Sequence, residues 1–343
     1  MTNVPETRPR RILVRLPNWV GDVVMATPAL AALRAAHPAA EIVAEGRPYL
    51  AGLVRGVPSV DAFLPEVRGT LARSRALRAR RFDLAVLLPD SMRSALAPFL
   101  ARIPVRAGYA RDPLRRALLT HALPPLRSAG RRVPISMIER YLRITRRLGC
   151  PDGDTRPALA VDAVACEAVA KRLAEAGLAP GERTLVVTPG ASFGSSKLWP
   201  PAHFAAACDE IARRYGLAVV LAPGPGEEAL AQQIAHTMRE RALVLAEPPT
   251  SLAELVALVA GAALHLGNDT GPRHIAVALG IPTIVLIGPT DPRHTAHQLH
   301  RQRVLREPVP CSPCGLKTCP IDQRCMTRIA PERVVAAAAE LLA

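Results

Sequence analysis

The sequence predicts an α/β protein of two domains, each built on a parallel sheet. Three observations carry this. Short apolar runs alternate with helix-length segments along the chain, both halves open with a strand, a Gly-containing loop and a helix, and a Pro- and Gly-containing stretch lies between the halves. The length of 343 residues suits two domains of about 100 to 200 residues each.

In the first half, Arg11 to Leu16 (RILVRL) reads as a buried strand. Val23, Ala26, Leu30 and Leu33 then recur at helical spacing until His37-Pro38 ends the pattern. Further strands are predicted over Glu41 to Glu45, Asp83 to Leu88 and Val105 to Tyr109. Cys150 to Pro157 (CPDGDTRP) reads as the linker, followed by an Ala-rich helix and Pro180-Gly181-Glu182. In the second half the strands are Thr184 to Thr188, Leu217 to Ala222, Ala242 to Ala246, Ala263 to Gly267 and Thr283 to Ile287. The domains are therefore 1–155 and 156–330, two Rossmann-like units facing a cleft, with a terminal helix over 331–343 (PERVVAAAAELLA from Pro331).

Lys and Arg number 44 against 29 Asp and Glu, so the surface should attract anions. Aromatics make up only 3%, and no finger, RNP or basic-zipper pattern occurs, so stacking platforms for nucleic acid are lacking. An anionic membrane or a phosphorylated substrate fits the charge equally well. No run reaches the ~18 to 20 apolar residues of a spanning helix, and the N-terminus has no apolar core of a signal peptide, so a cytoplasmic protein is expected.

The candidate chemistry lies in loops that follow strands, where open α/β sheets bind ligands. Asp22 sits where the first strand meets the first helix; it reads either as a helix cap or as a general base. In LHLGNDTGPRHIAVALGIP (264–282) a strand gives way to Asn268-Asp269-Thr270-Gly271, and Pro272 begins a helix, so loop amides and the Thr270 hydroxyl can face an anion. An ordinary turn capped by Thr270 or Asp269 is the plainer alternative, and His274 on the first turn reads as an anion contact or a packing residue. In GASFGSSKLWPPAHF (190–204), Ser195 and Ser196 offer hydroxyls and Lys197 a point charge suited to phosphate. In LAPGPGEEAL (221–230), Glu227 or Glu228 suits a ribose or sugar hydroxyl. The absence of a P-loop, of G-x-G-x-x-G after the first strand and of G-x-S-x-G argues against an NTPase, an NAD enzyme or a serine hydrolase.

Taken together, Leu13 to Leu30, Thr188 to Pro200, Leu252 to Pro292 and Cys311 to Met326 resemble glycosyltransferase family 9, the ADP-heptose:lipopolysaccharide heptosyltransferases. The resemblance implies a GT-B fold, an acceptor in the first domain, a sugar nucleotide in the second, and a C-terminal helix that returns to the first. It implies an inverting transfer of L-glycero-D-manno-heptose from ADP-heptose to the lipopolysaccharide inner core, onto the first heptose. Members of type I or III, with other acceptors, are the alternatives within the family, and a basic nucleic-acid-binding module is the alternative outside it. By resemblance Asp22 is the base; Ser195, Ser196, Lys197, Glu227, Asp269, Thr270, Gly271 and His274 bind the donor; and Asn18, Asp90 and Ser91 meet the acceptor. The resemblance likewise implies that no metal is required for catalysis and that the enzyme is peripheral to the cytoplasmic face of the inner membrane.

Two features remain. Arg68, Arg73, Arg75, Arg78, Arg80 and Arg81, with six more arginines between 111 and 132, form basic runs in the first half that read as a contact face for Kdo carboxylates, lipid A phosphates or anionic lipid. Cys311, Cys314, Cys319 and Cys325 have knuckle-like spacing, which reads either as a structural zinc site or as reduced, packed thiols.

Overall fold

The computed structural model describes residues 9–128, 131–296 and 301–343. Contacts divide the chain into unit 1, Met1–Ala160, and unit 2, Val161–Ala343. The division falls five residues beyond the domain boundary at 155 read from sequence, and Ala158 N–H donates to Thr27 Oγ1 (3.0 Å) and Ala160 N–H to the Gly56 carbonyl (2.6 Å). These bonds tie the end of the linker to unit 1.

Unit 1 carries β1 (Arg11–Arg15), β2 (Glu41–Gly46), β3 (Ala62–Pro65), β4 (Leu84–Leu87), β5 (Val105–Tyr109) and β6 (His121–Leu123), joined in the order β3-β2-β1-β4-β5-β6. A two-stranded antiparallel hairpin of β7 (Arg127–Ser128) and β8 (Arg131–Arg132) follows. Unit 2 carries β9 (Thr184–Thr188), β10 (Ala218–Leu221), β11 (Ala242–Val244), β12 (Ala262–Asn268), β13 (Thr283–Leu286) and β14 (Gln302–Leu305), in the order β11-β10-β9-β12-β13-β14. All pairings in the two large sheets are parallel, and the central strands are buried throughout. Continuous apolar strands of this kind are what a sheet covered on both faces requires.

Every strand read from sequence is present, with ends that differ by one or two residues. The strands that the reading lacks, β3, β6 and β14, are all sheet edges, and β7 and β8 are the small hairpin. An edge strand has one neighbour and a partly exposed face, so its apolar signal is weak; β3 is exposed or half-buried at every position.

The first helix, Val20–Ala36, runs to His37 as predicted, with Pro28 inside it. The proline removes the N–H that would bond the Val24 carbonyl, and the Thr27 hydroxyl donates to that carbonyl instead (2.8 Å). The terminal helix is Pro331–Leu342. Its Val334, Val335, Ala337 and Ala338 are buried in the core of unit 2, and it packs on the helix Pro201–Tyr215 and on β12, β13 and β14. Its apolar face is thus part of the core of unit 2.

Candidate functional site

In each sheet the chain builds outward on one side and then returns to the other. The connections after β1 and β4, and after β9 and β12, therefore leave for opposite faces, and a crevice opens at the carboxyl ends of those two neighbouring strands. The residues singled out in the sequence lie at these two switch points.

At the switch point of unit 2, Lys197 comes from the turn after β9 and Asp269 from the end of β12. The Lys197 ammonium donates to the Asp269 carbonyl (2.6 Å) and lies 3.2 Å from its Oδ2, with the Phe193 ring centroid 5.2 Å away. Arg273, one helical turn beyond Asp269 and fully buried, donates to Oδ1 at 2.8 Å, and the Thr290 hydroxyl, from the loop after β13, donates to Oδ2 at 2.5 Å. Burial raises the Asp269 carboxyl, but Arg273, Lys197 and Thr290 outweigh it and hold the group well below the usual carboxylate range. Two cations thus face one carboxylate, leaving a formal excess of one positive charge. His274 is buried beside them and pulled down to about 3, first by burial and then by Arg273 and Lys197, so its imidazole is neutral near pH 7.

Thr270 is the N-cap of the helix Gly271–Ala278, and its side chain makes no capping bond to the helix. The plain capping alternative therefore fails for Thr270, while Asp269 is committed to cations. Pro272 lies in the first turn, as the sequence suggests. The buried Asn268 closes the crevice behind, donating from Nδ2 to the Pro189 carbonyl (2.6 Å) and bridging the loops after β12 and β9.

Glu227 caps a third side. Its Oε2 accepts from Gly224 N–H at 2.8 Å, and a Cβ on Gly190 would lie only 1.6 Å from that oxygen. Gly190 is thus a glycine because the carboxylate of the β10 loop lies against the β9 loop. Glu228 instead accepts from Gly226 N–H in its own turn (3.0 Å), which holds its carboxyl down. Of the two registers open in the sequence, Glu227 is the one brought to the switch point.

The serines separate. Ser195 is exposed, whereas Ser196 is buried, its hydroxyl donating to the Leu316 carbonyl (2.6 Å) and its N–H to the Lys317 carbonyl (3.0 Å). This corrects the reading of Ser196 as a ligand hydroxyl; it ties the Lys197 turn to the cysteine segment. Gln323 adds to the tie, its Nε2 donating to the carbonyls of Ser195 (2.8 Å) and Leu198 (2.7 Å). At Gly194, with φ +156°, a Cβ would lie 2.3 Å from the Lys317 carbonyl oxygen, so the segment presses directly on this turn.

The four cysteines of that segment are free thiols. Cys319 Sγ accepts the Gln323 N–H at 3.3 Å, and the Cys325 thiol is pushed up by burial and then by Cys311, Cys314 and Cys319. Among the described residues no group of three or more His, Cys, Asp or Glu side chains is arranged to hold a metal ion. Of the four, Cys325 is buried, Cys319 half-buried and Cys311 and Cys314 exposed, so they are not one packed thiol cluster.

At the switch point of unit 1, Asp22 is the third residue of its helix, and the N-cap is Trp19. A carboxylate there complements the helix dipole without being the cap. It is half-buried, and its charge, after burial, raises the fully buried Tyr141 hydroxyl. Asp90 and Ser91 follow β4. Arg140 donates to Asp90 Oδ2 (2.9 Å), and the Ser91 hydroxyl caps the helix Met92–Leu100. Asn18 is exposed in the β1 loop.

Sequence reasoning missed the residue that holds the β4 loop. Arg115 has no exposed surface and donates to the carbonyls of Tyr109 (2.7 Å), Pro89 (2.8 Å) and Ser91 and to Ser94 Oγ (2.9 Å). Burial pulls this guanidinium down to about 10 against the pull of Asp90 and Asp112. Arg73 is likewise internal, its Nε and Nη2 on the buried Glu45 at 2.6 and 2.5 Å. The basic runs are therefore not one solvated face: Arg73 and Arg115 are internal pins, while Arg68, Arg75, Arg78, Arg80, Arg81, Arg111 and Arg116 are exposed. Arg273 and Thr290 were also missed; the i, i+4 spacing of Asp269 and Arg273 is the signal that was available for the first.

The comparisons with known proteins place the chain in a family. Residues 70–324 match the model of glycosyltransferase family 9 (heptosyltransferase). The lipopolysaccharide heptosyltransferase 2 of Salmonella typhimurium is 30% identical over 86% of this chain and 88% of its own, and that of Escherichia coli 29% over the same shares. The structure of E. coli ADP-heptose LPS heptosyltransferase II superposes with a TM-score of 0.80 at 28% identity, covering 97% of this chain and 98% of that one. A family 9 glycosyltransferase structure from Veillonella parvula gives 0.82 at 22% identity, covering 97% of each chain, a likeness of fold. The two α/β units with parallel sheets are those of the GT-B fold.

Proposed function

The chain belongs to glycosyltransferase family 9, and from that premise we propose that it is an inverting heptosyltransferase of type II. It moves L-glycero-D-manno-heptose from ADP-heptose onto the first heptose of the lipopolysaccharide inner core. The relatives matched over most of both chains are named for this activity. The observation that carries the donor half is the buried network at the unit 2 switch point, where Lys197 and Arg273 both meet the carboxylate of Asp269.

The diphosphate takes Lys197, the Thr270 hydroxyl and the first-turn amides at Gly271, where the helix dipole adds to the attraction. Neutral His274 donates or accepts there without competing for charge. Glu227 receives a sugar or ribose hydroxyl. As the bond to the anomeric carbon breaks, charge develops on the leaving ADP, and these fixed donors stabilise it. Asp22 takes the proton of the attacking hydroxyl, which approaches from the opposite face of the ring. Asn18, Asp90 and Ser91 orient the acceptor. Both Asp269 oxygens are held by Arg273, Thr290 and Lys197, which supports a reading in which cationic side chains neutralise the diphosphate.

No helix among the described residues is long and apolar enough to cross a membrane. The exposed arginines of unit 1 suit a peripheral contact with an anionic bilayer carrying the acceptor. The test is transfer of heptose from ADP-heptose to a heptose-terminated core, beside acceptors ending in Kdo. Transfer to the heptose-ended acceptor supports type II, transfer to Kdo alone moves the chain to type I, and transfer to neither overturns the reading.

A further inference from the structure

The chain holds two Trp, four Tyr and five Phe, and among these only Trp19, Tyr49 and Phe99 are exposed. The face of Phe99 carries the Arg106 guanidinium 5.3 Å from its centroid. The other two sit together at the switch point of unit 1. Trp19, 53% exposed, is the N-cap of the helix that bears Asp22, and Tyr49, 54% exposed, lies in the loop after β2, the strand beside β1. The Tyr49 hydroxyl donates to the carbonyl of Asn18, the residue before Trp19, so the two loops are tied to each other. At the carboxyl edge of the sheet the order is then Tyr49 after β2, Trp19 and Asp22 after β1, and Asp90 and Ser91 after β4.

We infer that Trp19 and Tyr49 form a stacking platform for a pyranose ring of the acceptor, a role that rests on the assignment of Asp22 as base. A pyranose has a face of C–H groups and an edge of hydroxyls. Such a ligand is met by an aromatic surface for the face and a few fixed polar groups for the edge. Here the loops that bear the aromatics also bear Asn18 and Asp22, with Ser91 after the neighbouring β4, and two large rings left half in water at a ligand-binding edge cost solvation that a sugar face offsets. Trp19 decides where the ring lies relative to Asp22, three residues on, and so which hydroxyl reaches the carboxylate.

The two tryptophans make this directly readable. Trp199 is fully buried in unit 2, its Nε1 donating to the Ile329 carbonyl at 2.9 Å, so quenching of emission by acrylamide reports Trp19. The full-length protein is titrated with a lipid-free, heptose-ended core oligosaccharide and, separately, with phosphatidylglycerol vesicles. Several-fold protection of the quenchable fraction by the oligosaccharide supports the platform. Protection by vesicles alone assigns the rings to a bilayer surface and overturns it, as does protection by neither. This arm needs no donor and no turnover, so it decides even if transfer from ADP-heptose fails. In the kinetic arm, Trp19→Ala raises KM for the acceptor about tenfold and leaves KM for the donor unchanged, with Trp19→Phe recovering most of the loss. An unchanged acceptor KM in Trp19→Ala overturns the inference.

Discussion

Both units use one strand order and place their loops at the same topological position, yet they fill it differently. At the unit 2 switch point the side chains are buried and bonded to one another: Lys197, Asp269, Arg273 and Thr290 form one network. At the unit 1 switch point Trp19, Asn18 and Ser91 stand in water, and the backbone behind them is pinned instead. Each unit has a fully buried arginine for the purpose, but Arg273 neutralises a carboxylate whereas Arg115 gathers carbonyls. A site for a compact anion is organised by charge, which must be fixed before the ligand arrives. A site for a sugar is organised by shape, and its side chains can remain exposed.

Five experiments would break or sharpen this contrast. Asp22→Asn is expected to lower turnover by about 10²- to 10⁴-fold, the usual worth of a general base, while ADP binding measured by calorimetry is kept. Normal turnover would return Asp22 to a dipole-complementing role. Next, Arg273→Met leaves Asp269 without its buried partner and is expected to cost about 3–5 kcal/mol in urea unfolding. Arg115→Met strands carbonyls but no opposite charge, and should cost less, about 1–3 kcal/mol. Equal losses would remove the distinction between the two pins.

The third test is pH. His265 and His274 of unit 2 are both pulled down to about 3, chiefly by burial. Unfolded, each takes a proton near pH 6.5, so their contribution is complete above that value and is lost as pH falls toward 3, by up to about 1.4 kcal/mol per pH unit for each. The depressed Asp269 carboxyl acts with the same sign below about pH 4, as its stabilising charge is removed. Unfolding followed by Trp199 emission should therefore show the acid loss in unit 2, and a flat profile from pH 7 to 5 would contradict it. The smallest effect is expected at the cysteine segment: Ser196→Ala removes one bond to Leu316 and costs about 1 kcal/mol. Metal analysis of protein purified without chelator decides the cysteine segment: one zinc per chain supports the knuckle, and a stoichiometry near zero removes it.

Much of the site was legible because it lies where local pattern changes. Lys197, Asp269, Thr270 and Gly271 each follow a strand and precede a helix, a signal contained in about ten residues. Arg273, Thr290 and Arg115 were not legible as site residues. Arg115 reads as one of a basic run, and only its burial beneath the β4 loop shows it to be internal. Ser196 erred the other way, since its hydroxyl is taken by a carbonyl 120 residues further along the chain.

The sequence by itself determined the alternation of strands and helices, the two-unit plan and the loops that bear chemistry, because apolar period and turn residues act over short distances. Tertiary structure alone decided that β9 lies beside β12, which brings Lys197 to Asp269, that Glu227 and not Glu228 lies over Gly190, and that the last helix packs on unit 2. These outcomes depend on which strands become neighbours and which apolar faces bury each other, and such pairings join residues tens of positions apart that no local pattern links.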